Sequence, residues 1–535
     1  MKLSRALLFL ILASLPAFGQ TNDPARTKRL SLEDCIELAL KHNLDLQIDR
    51  YNPEISLYAL RADYAPYDPI LSLSGEHDHT ETGVRLLSGG FTIAGSKSDA
   101  DSFTGGLNGL LPWGMTYSLG SGPIRNTTGT SGTPVNDVNQ PLFLTTNSIF
   151  VLSNSTSVTT IRTNFAQVPG FSPFENSVAS PTLSVTQPVL KNFWIDQTRL
   201  NIRIAKNRLK YTEQTLRLQV MQTITTLEQA YYDLIYDREN VIVQQKAVEL
   251  AEKLVAENRK RLEVGALAPL DLQSAEAQAA SSRAAVIAAK SQLGTQERLL
   301  KQLITDQFAS WEDSEVEPTE GLAAYKPIVN LQDSWRRGLS DRPELVQAKL
   351  DVEKAGIQLK YNRNQLFPEL DVFGTVGYNG SGREFSDALF DVQQRNQLSY
   401  SMGGSLTFPL ANIGARNNYK SAKVSLQQVV LTLKKLEQGV MVDIDNDIGT
   451  IRANYDQVQA TRTARQYQES ALDAEQKKLE NGKSTTYTVL QVQRDLTVAR
   501  GNEIQALDNY NKSLSQLSLH EGSTLDRLHI KLEWK

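Results

Sequence analysis

The sequence predicts a mixed α and β chain built from two copies of one pattern, in which strand pairs interrupt long helices. Three observations carry this reading. The stretches RLEVGALAPLDLQS (261–274) and KLENGKSTTYTVLQ (478–491) write the same helix interruption twice, with Gly265 and Gly482 separated by 217 positions. Apolar residues around them step by threes, fours and sevens, the seam of long helices packed nearly parallel. The runs ILSLSG (70–75) and ELDVFG (369–374) alternate like strands and fall at equivalent places in the two copies.

The chain opens on MKLSRALLFLILASLPAFGQ. Lys2 and Arg5 give a basic start, 6–18 an apolar core, and Ala17-Phe18-Gly19 a small-residue cleavage pattern. Residues 1–19 are therefore expected to be a signal peptide, with the mature chain beginning near Gln20. No cysteine stands at the cleavage point, which argues against a lipid anchor. Beyond it there is no run of about 18 apolar residues. An exported chain of this kind is either soluble outside the cytoplasm or crosses a membrane as a β-barrel. The formal net charge of −4 leaves no strong nucleic-acid footprint. Cys35 is the single cysteine, so no internal disulfide forms, and its place in a helical pattern reads as a small buried apolar residue.

The first copy starts at Leu30-Ser31-Leu32-Glu33-Asp34, which matches Val329-Asn330-Leu331-Gln332-Asp333 at an offset of 299. Ser31 and Asn330 are N-cap residues, each followed three positions later by an acid, as in a capping box. Amphipathic helices follow and end near Pro69 and Pro368, then come the strands, with Gly75 and Gly374 keeping the register. The two offsets differ by 299 − 217 = 82 residues, so the first copy carries an insertion. Its place is roughly 77–182, rich in Gly, Ser, Thr and Asn and without helical period, against a shorter counterpart at 375–415. Both are expected to be strands joined by loops. LPWG (111–114), between GGLNGL and MTYSLG, reads as a hairpin turn that adds a strand pair, inside a barrel or above it.

The returning strands are SPTLSVTQPVL (180–190) and YSMGGSLTFPL (400–410). Leu183 and Val185 alternate with Ser184 and Thr186, and Leu406 and Phe408 with Ser405 and Thr407. Such alternation suits a strand between lipid and water, and taken alone it favours an ordinary sandwich strand. Helix lengths decide against the sandwich. The helices over 199–262 and 416–479 are each on the order of 95 Å long at about 1.5 Å per residue. At the 217 offset Leu209 matches Leu426, Leu216 matches Leu433, Leu227 matches Ile444 and Tyr231 matches Ile448. Leu234 and Ile451, Val241 and Val458, Val255 and Leu472, and Leu262 and Leu479 continue the seam. The helices after the glycines and before the strands are each about half as long, so two laid end to end match one long helix. Gly265 and Gly482 then mark two helical hairpin tips, where glycine supplies a backbone geometry other residues resist. The expected organisation is a first repeat over 30–310 with its strand and loop insertion at about 69–190, a linker at 311–328, a second repeat over 329–520 with strands at about 369–410, and a tail at 521–535.

The sequence resembles the outer membrane efflux protein family, the TolC-like channels, over nearly the whole mature chain. The resemblance rests on LSLEDCIELALKHNLDLQ near the start, TQPVLKNFWIDQTRLNIRIAKNRL at the strand-to-helix junction, and the tips RLEVGALAPLDLQSAEAQ and KLENGKSTTYTVLQVQRDL. It implies a homotrimer in which each protomer gives about four strands to one transmembrane β-barrel of twelve, with the helices forming a long periplasmic α-helical barrel. It implies an outer-membrane location, a passive duct for a tripartite efflux pump or type I secretion system, and no cofactor. The partners would be outer-membrane lipid, a periplasmic adaptor and, through it, an inner-membrane transporter, with no nucleic acid. The adaptor would dock at Val264, Gly265 and Ala266 and at Asn481, Gly482 and Lys483. The family's constriction ring has acids six and nine positions beyond the second-tip glycine, where this chain has Thr488 and Gln491. Three-fold symmetry triples any charge at a constriction, so a neutral ring implies weaker cation selectivity. Asp271, six beyond Gly265, keeps the family's acid, whose basic partner past the second glycine is replaced by Ser484, with Lys483 beside it.

Other motifs read blandly. NGKST (481–485) lacks the upstream glycine of a phosphate-binding loop, because Lys477 stands there. His77 and His79 flank Asp78 and read as an exposed loop edge rather than a metal site. Asp443-Ile444-Asp445-Asn446-Asp447 is helical, lacks the glycine and distal acid of a calcium loop, and reads as a solvated helix face. Trp194 suits a membrane-interface aromatic or packing at the strand–helix joint. No nucleophile–base constellation is present, so an enzyme is not expected. The competing reading is a secreted coiled-coil structural or adhesive protein. It explains the heptads and not the strand pairs at equivalent places.

Overall fold

The computed structural model describes residues 27–83, 85–86, 92–93, 95–120, 122–134, 169–265 and 267–531. The expected signal peptide, Ala266, parts of the 77–182 insertion and the last four residues lie outside them. The chain begins with β1 (Lys28–Leu30), α1 (Leu32–His42), α2 (Leu44–Ala62), β2 (Ile70–Thr82), β3 (Arg85–Leu86), β4 (Thr92–Ile93) and β5 (Ser96–Leu110). It continues through β6 (Thr116–Leu119), β7 (Ile124–Pro134), β8 (Pro169–Ala179), β9 (Thr182–Pro188), α3 (Gln197–Glu263), α4 (Pro269–Ile304) and β10 (Val316–Pro318). The second copy follows as α5 (Leu331–Asp341), α6 (Pro343–Asn364), β11 (Glu369–Tyr378), β12 (Gly380–Gly382), α7 (Phe385–Gln394), β13 (Leu398–Thr407), α8 (Ile413–Glu480), α9 (Thr486–His520) and α10 (Thr524–Arg527). Two compact units result. One joins Met1–Glu54, Tyr211–Lys349 and Thr432–Lys535, and the other joins Ile55–Lys210 and Leu350–Leu431.

The first unit is helical. α3, of 67 residues, contains neither Gly nor Pro, so nothing interrupts it before its tip. Burial repeats at the sequence offset. Leu227, Tyr231, Leu234 and Val241 are buried, and so are Ile444, Ile448, Ile451 and Val458. Cys35 is wholly buried in the first cluster, as a small apolar residue. Its counterpart at offset 299, Ser334, is also wholly buried. Ser31 closes a full capping box, its Oγ accepting from Asp34 N at 3.1 Å while Asp34 Oδ2 accepts from Ser31 N at 3.0 Å. Asn330 caps more simply, accepting from Gln332 N at 3.0 Å.

Two expectations need correcting in this unit, the helices before the strands and the acidic run. The helix before each strand is two helices, not one. The first breaks at Asn43, whose Oδ1 accepts from Leu46 N at 3.0 Å and restarts the helix. The second breaks at Arg342, held extended (φ −65°, ψ 120°) because Pro343 follows. Within the expected linker at 311–328, β10 pairs in parallel with β1 through three residue pairs, from Lys28↔Val316 to Leu30↔Pro318. Within the expected tail, α10 buries Leu525 in the first core, and Arg527 pairs with the buried Glu228. The acidic run at 443–447 is not only a solvated face, because Arg342 meets Asp443 at 3.1 Å and His520 meets Asp447 at 2.5 Å.

The second unit is built on one antiparallel sheet. The four expected strands are present as β2, β9, β11 and β13, but the expectation of about four strands is corrected to six rows. In order these rows are β2, β5, β6 with β7, β9 with β8, β11 with β12, and β13. The extra pair comes from the insertion, and LPWG is its turn. Leu111 N donates to Met115 O at 2.8 Å, and Gly114 takes φ +90°. Arg199 Nη2 lies where a Gly114 Cβ would come within 2.7 Å, so the turn seats on the β9–α3 joint.

The sheet has two unlike faces. One residue row crosses all six strands as Leu71, Leu107, Leu119, Leu183, Val376 and Tyr400. The adjacent row on the opposite face reads Ile70, Asn108, Ser118, Ser184, Thr375 and Ser401. α7 lies over the apolar face, its Phe385 ring edge-on to Phe103 at 6.5 Å. His77 and His79 sit on strand β2, not on a loop edge, and pair with Asp101 at 2.7 Å and Asp99 at 2.5 Å on β5. Trp194 is 74% exposed and edge-on to Phe193 at 5.0 Å.

Candidate functional site: the two helical tips

Each long helix ends on a glycine in the left-handed region. Gly265 has φ +70° and Gly482 φ +66°. At the second tip Gly482 N donates to Leu479 O at 3.1 Å and Lys483 N to Lys478 O at 2.8 Å. This bond pair is the Schellman ending, which satisfies carbonyls the helix would otherwise leave open. Gly265 N makes the equivalent bond to Leu262 O at 2.9 Å. The return helices then start on different devices. α4 begins at Pro269, which has no amide hydrogen to lose. α9 begins after Thr485, whose Oγ1 accepts from Thr488 N at 3.2 Å.

The two tips are held to one another. Arg261 Nη1 donates to Leu479 O at 3.2 Å, and Thr486 Oγ1 donates to the buried Asn258 at 3.4 Å. Behind them Leu254, Leu472, Leu479, Val489, Leu490 and Leu496 form a local apolar core. Charge pairs tie each hairpin across its own helices. Arg259 meets Glu276 at 3.0 Å and Arg283 meets Glu252 at 2.6 Å in the first. Arg500 meets Glu469 at 2.8 Å and Arg465 meets Glu503 in the second.

The residues singled out from sequence fall into two groups. Val264, Gly265, Asn481, Gly482 and Lys483 are exposed at the tips, Val264 by 78%. Ala266 lies outside the described residues. Thr488 is half-buried and spends its hydroxyl on the cap, 2.9 Å from Thr485 Oγ1, while Gln491 is exposed one turn further on. Ser484 donates to Glu475, and that bond, with Lys478 at 3.0 Å, holds the Glu475 carboxyl below its ordinary pKa. Asp271 and Lys483 enter no ion pair among the described residues. Sequence reasoning missed Glu475, Asn258 and Arg261, whose roles depend on partners far away in the chain. It also missed Leu270 and Tyr487, 71% and 73% exposed beside the tips, which a search for large apolar residues at helix starts would have found.

A tip of this kind offers exposed apolar side chains on a backbone closed by a left-handed glycine. The profile of the outer membrane efflux protein family matches residues 152–305 and 336–523. The chain belongs to that family, with a mixed α and β fold of the TolC-like kind. It is 24% identical to outer membrane efflux protein BepC of Brucella suis biovar 1 (strain 1330) over 58% of this chain and 65% of that relative. It is likewise 24% identical to outer membrane protein TolC of Escherichia coli (strain K12) over 54% of this chain and 59% of that relative. The chain thus matches less than two thirds of the length of these two relatives. Among solved structures it resembles VceC of Vibrio cholerae (TM-score 0.60, 16% identity, 92% of this chain and 96% of that one). It also resembles the CmeC channel of Campylobacter jejuni (TM-score 0.61, 14% identity, 97% and 94%). At such identities the likeness speaks for the fold.

Proposed function

We propose that this protein is a passive outer-membrane duct that spans the periplasm and serves a tripartite efflux pump or a type I secretion system. The observation that carries the reading is the residue row Leu71, Leu107, Leu119, Leu183, Val376 and Tyr400, apolar across every strand and backed by a mostly polar row. Such a sheet suits lipid on one side and water on the other. Its edge strands β2 and β13 each have one neighbour among the described residues. An open edge cannot face lipid, so the sheet closes with further copies of the chain, as a homotrimer. A secreted coiled-coil protein has no need of a lipid-like face.

The exposed tips, with Val264, Leu270 and Tyr487, are the surface for a periplasmic adaptor, and the adaptor links the duct to an inner-membrane transporter that supplies energy. Thr488 and Gln491 make a neutral constriction, so the closed state carries no ring of acids. Asp271, Ser484 and Lys483 flank that constriction, with Lys483 the available base for Asp271 in place of the residue that Ser484 replaces. Residues 1–19 serve as the export signal. Reconstitution of the purified protein in planar bilayers should give stepwise currents, and their absence would contradict a duct. In the same bilayers Gln491→Asp should raise cation selectivity and block by multivalent cations. If neither changes, position 491 does not line the constriction.

A further inference from the structure

The insertion in the first copy changes the sheet in a way that the duplicated pattern does not require. Strand β5 lies between β2 and the β6–β9 rows, paired with β2 from Ile70↔Asn108 to Thr82↔Ser96. β6 pairs with β9 from Thr116↔Thr186 to Leu119↔Leu183. The hairpin is therefore within the sheet, and β2 and β9 are not neighbours. Its side chains obey the two faces of the sheet. Leu107 and Leu119 continue the apolar row, and Asn108 and Ser118 continue the polar one. Tyr117 lies over Gly109, where an added Cβ would stand 2.5 Å from its hydroxyl, so the pair is fitted to its neighbours. A hairpin above the wall or plugging it would have no reason to keep both alternations in register.

Adding one hairpin to an antiparallel meander adds two strands, so the edges keep opposite directions. β2 and β13 of neighbouring copies can still pair antiparallel, and six strands per copy still close. Resting on the homotrimer reading above, we infer that three copies close a barrel of 18 strands by pairing the β2 edge of one chain with the β13 edge of the next. Barrel diameter grows roughly linearly with strand number, so this wall is about half again as wide as one of 12 strands. The partner is a second copy of this chain. The recognition elements are the β2 and β13 edges, each with one neighbour among the described residues, and the apolar positions they carry on one face, Leu71 and Leu73 on β2 and Tyr400 and Met402 on β13.

Cysteine pairs on the polar face test this in the full-length protein. Cys35 is wholly buried and burial pushes its thiol up to about 12, so it stays silent. A flexible thiol cross-linker reaching about 8 Å covers direct and diagonal neighbours in a sheet. Ser74→Cys with Thr104→Cys should link within one chain, since the two positions are directly opposed. Ser74→Cys combined in turn with Ser399→Cys, Ser401→Cys, Ser405→Cys and Thr407→Cys, all on the polar face of β13, should link between chains in at least one combination and give a ladder ending at three, and a trimer with no such link in any of them would overturn the β2–β13 pairing. A trimer by mass in which Ser74→Cys links to Ser184→Cys, and not to Thr104→Cys, would place the hairpin outside the wall. That would overturn the 18-strand closure and leave the duct intact. A ladder ending at two would overturn the strand count. A monomer by mass with no link between chains would overturn both the closure and the shared barrel on which it rests.

Discussion

The two copies agree where helices pack and part where strands pair. In the helices, buried positions repeat at an offset of 217, from Leu227 and Ile444 to Val241 and Val458. In the sheet, the first copy gives four rows and the second gives two. The difference follows from how each element tolerates insertion. A long helix packed along a seam loses its whole apolar face if residues are added out of step with the heptad. An antiparallel sheet accepts a whole hairpin, because two more strands keep the alternation of faces and the direction of both edges.

The largest expected effect tests whether the helical copies are equivalent. Leu227→Ala and Ile444→Ala each empty a fully buried site, and each should cost roughly 4 kcal/mol. Thermal unfolding in detergent should show like losses, and a much smaller loss for one would break the equivalence.

Next in size is an asymmetry. Asp508 is buried in the second copy, where the first has Ser291 at the matching position. Burial pushes its pKa from 3.8 up to about 6, outweighing Lys512 at 2.7 Å, with Asp233 and Asp237 adding to the rise. The folded state holds this proton more tightly than the unfolded chain. Its contribution to stability is therefore present below the unfolded value and lost as pH rises from about 4 to about 6, on the order of 3 kcal/mol. Asp508→Asn should flatten the fall of the thermal midpoint over that window, and an unchanged slope would assign it to other groups.

Smaller effects compare the tips and the caps. Gly265→Ala and Gly482→Ala meet open space, so their cost is conformational alone, about 1.5 kcal/mol each. Unequal losses would show that one tip relaxes out of the left-handed region. Ser31→Ala should cost about 1 kcal/mol and Asn330→Ala somewhat less, because only Ser31 stands in a reciprocal box. The reverse order in thermal midpoints would contradict the cap geometry.

Much of this architecture was legible in the sequence because local chemistry writes it. Gly265 and Gly482 announce the tips, Ser31 with Asp34 a helix start, and LPWG a turn. The place of the extra strand pair, within the sheet or above it, was not legible. On β5, Gly105 and Gly109 occupy apolar-face positions that Leu73 of β2 and Tyr117 of β6 cover, so the strand shows little alternation of its own. The same holds at the tips. Ser484 was readable as the replacement for a basic residue, but its bond to Glu475 and the reach of Arg261 to Leu479 depend on helix packing.

A sheet with the β2 and β13 edges and one apolar face is expected to close with copies of itself. Light scattering of the purified protein in mild detergent, with the detergent contribution subtracted, tests it directly. Three times the mass of one chain is the expected result. A single-chain mass under the same mild conditions would contradict it.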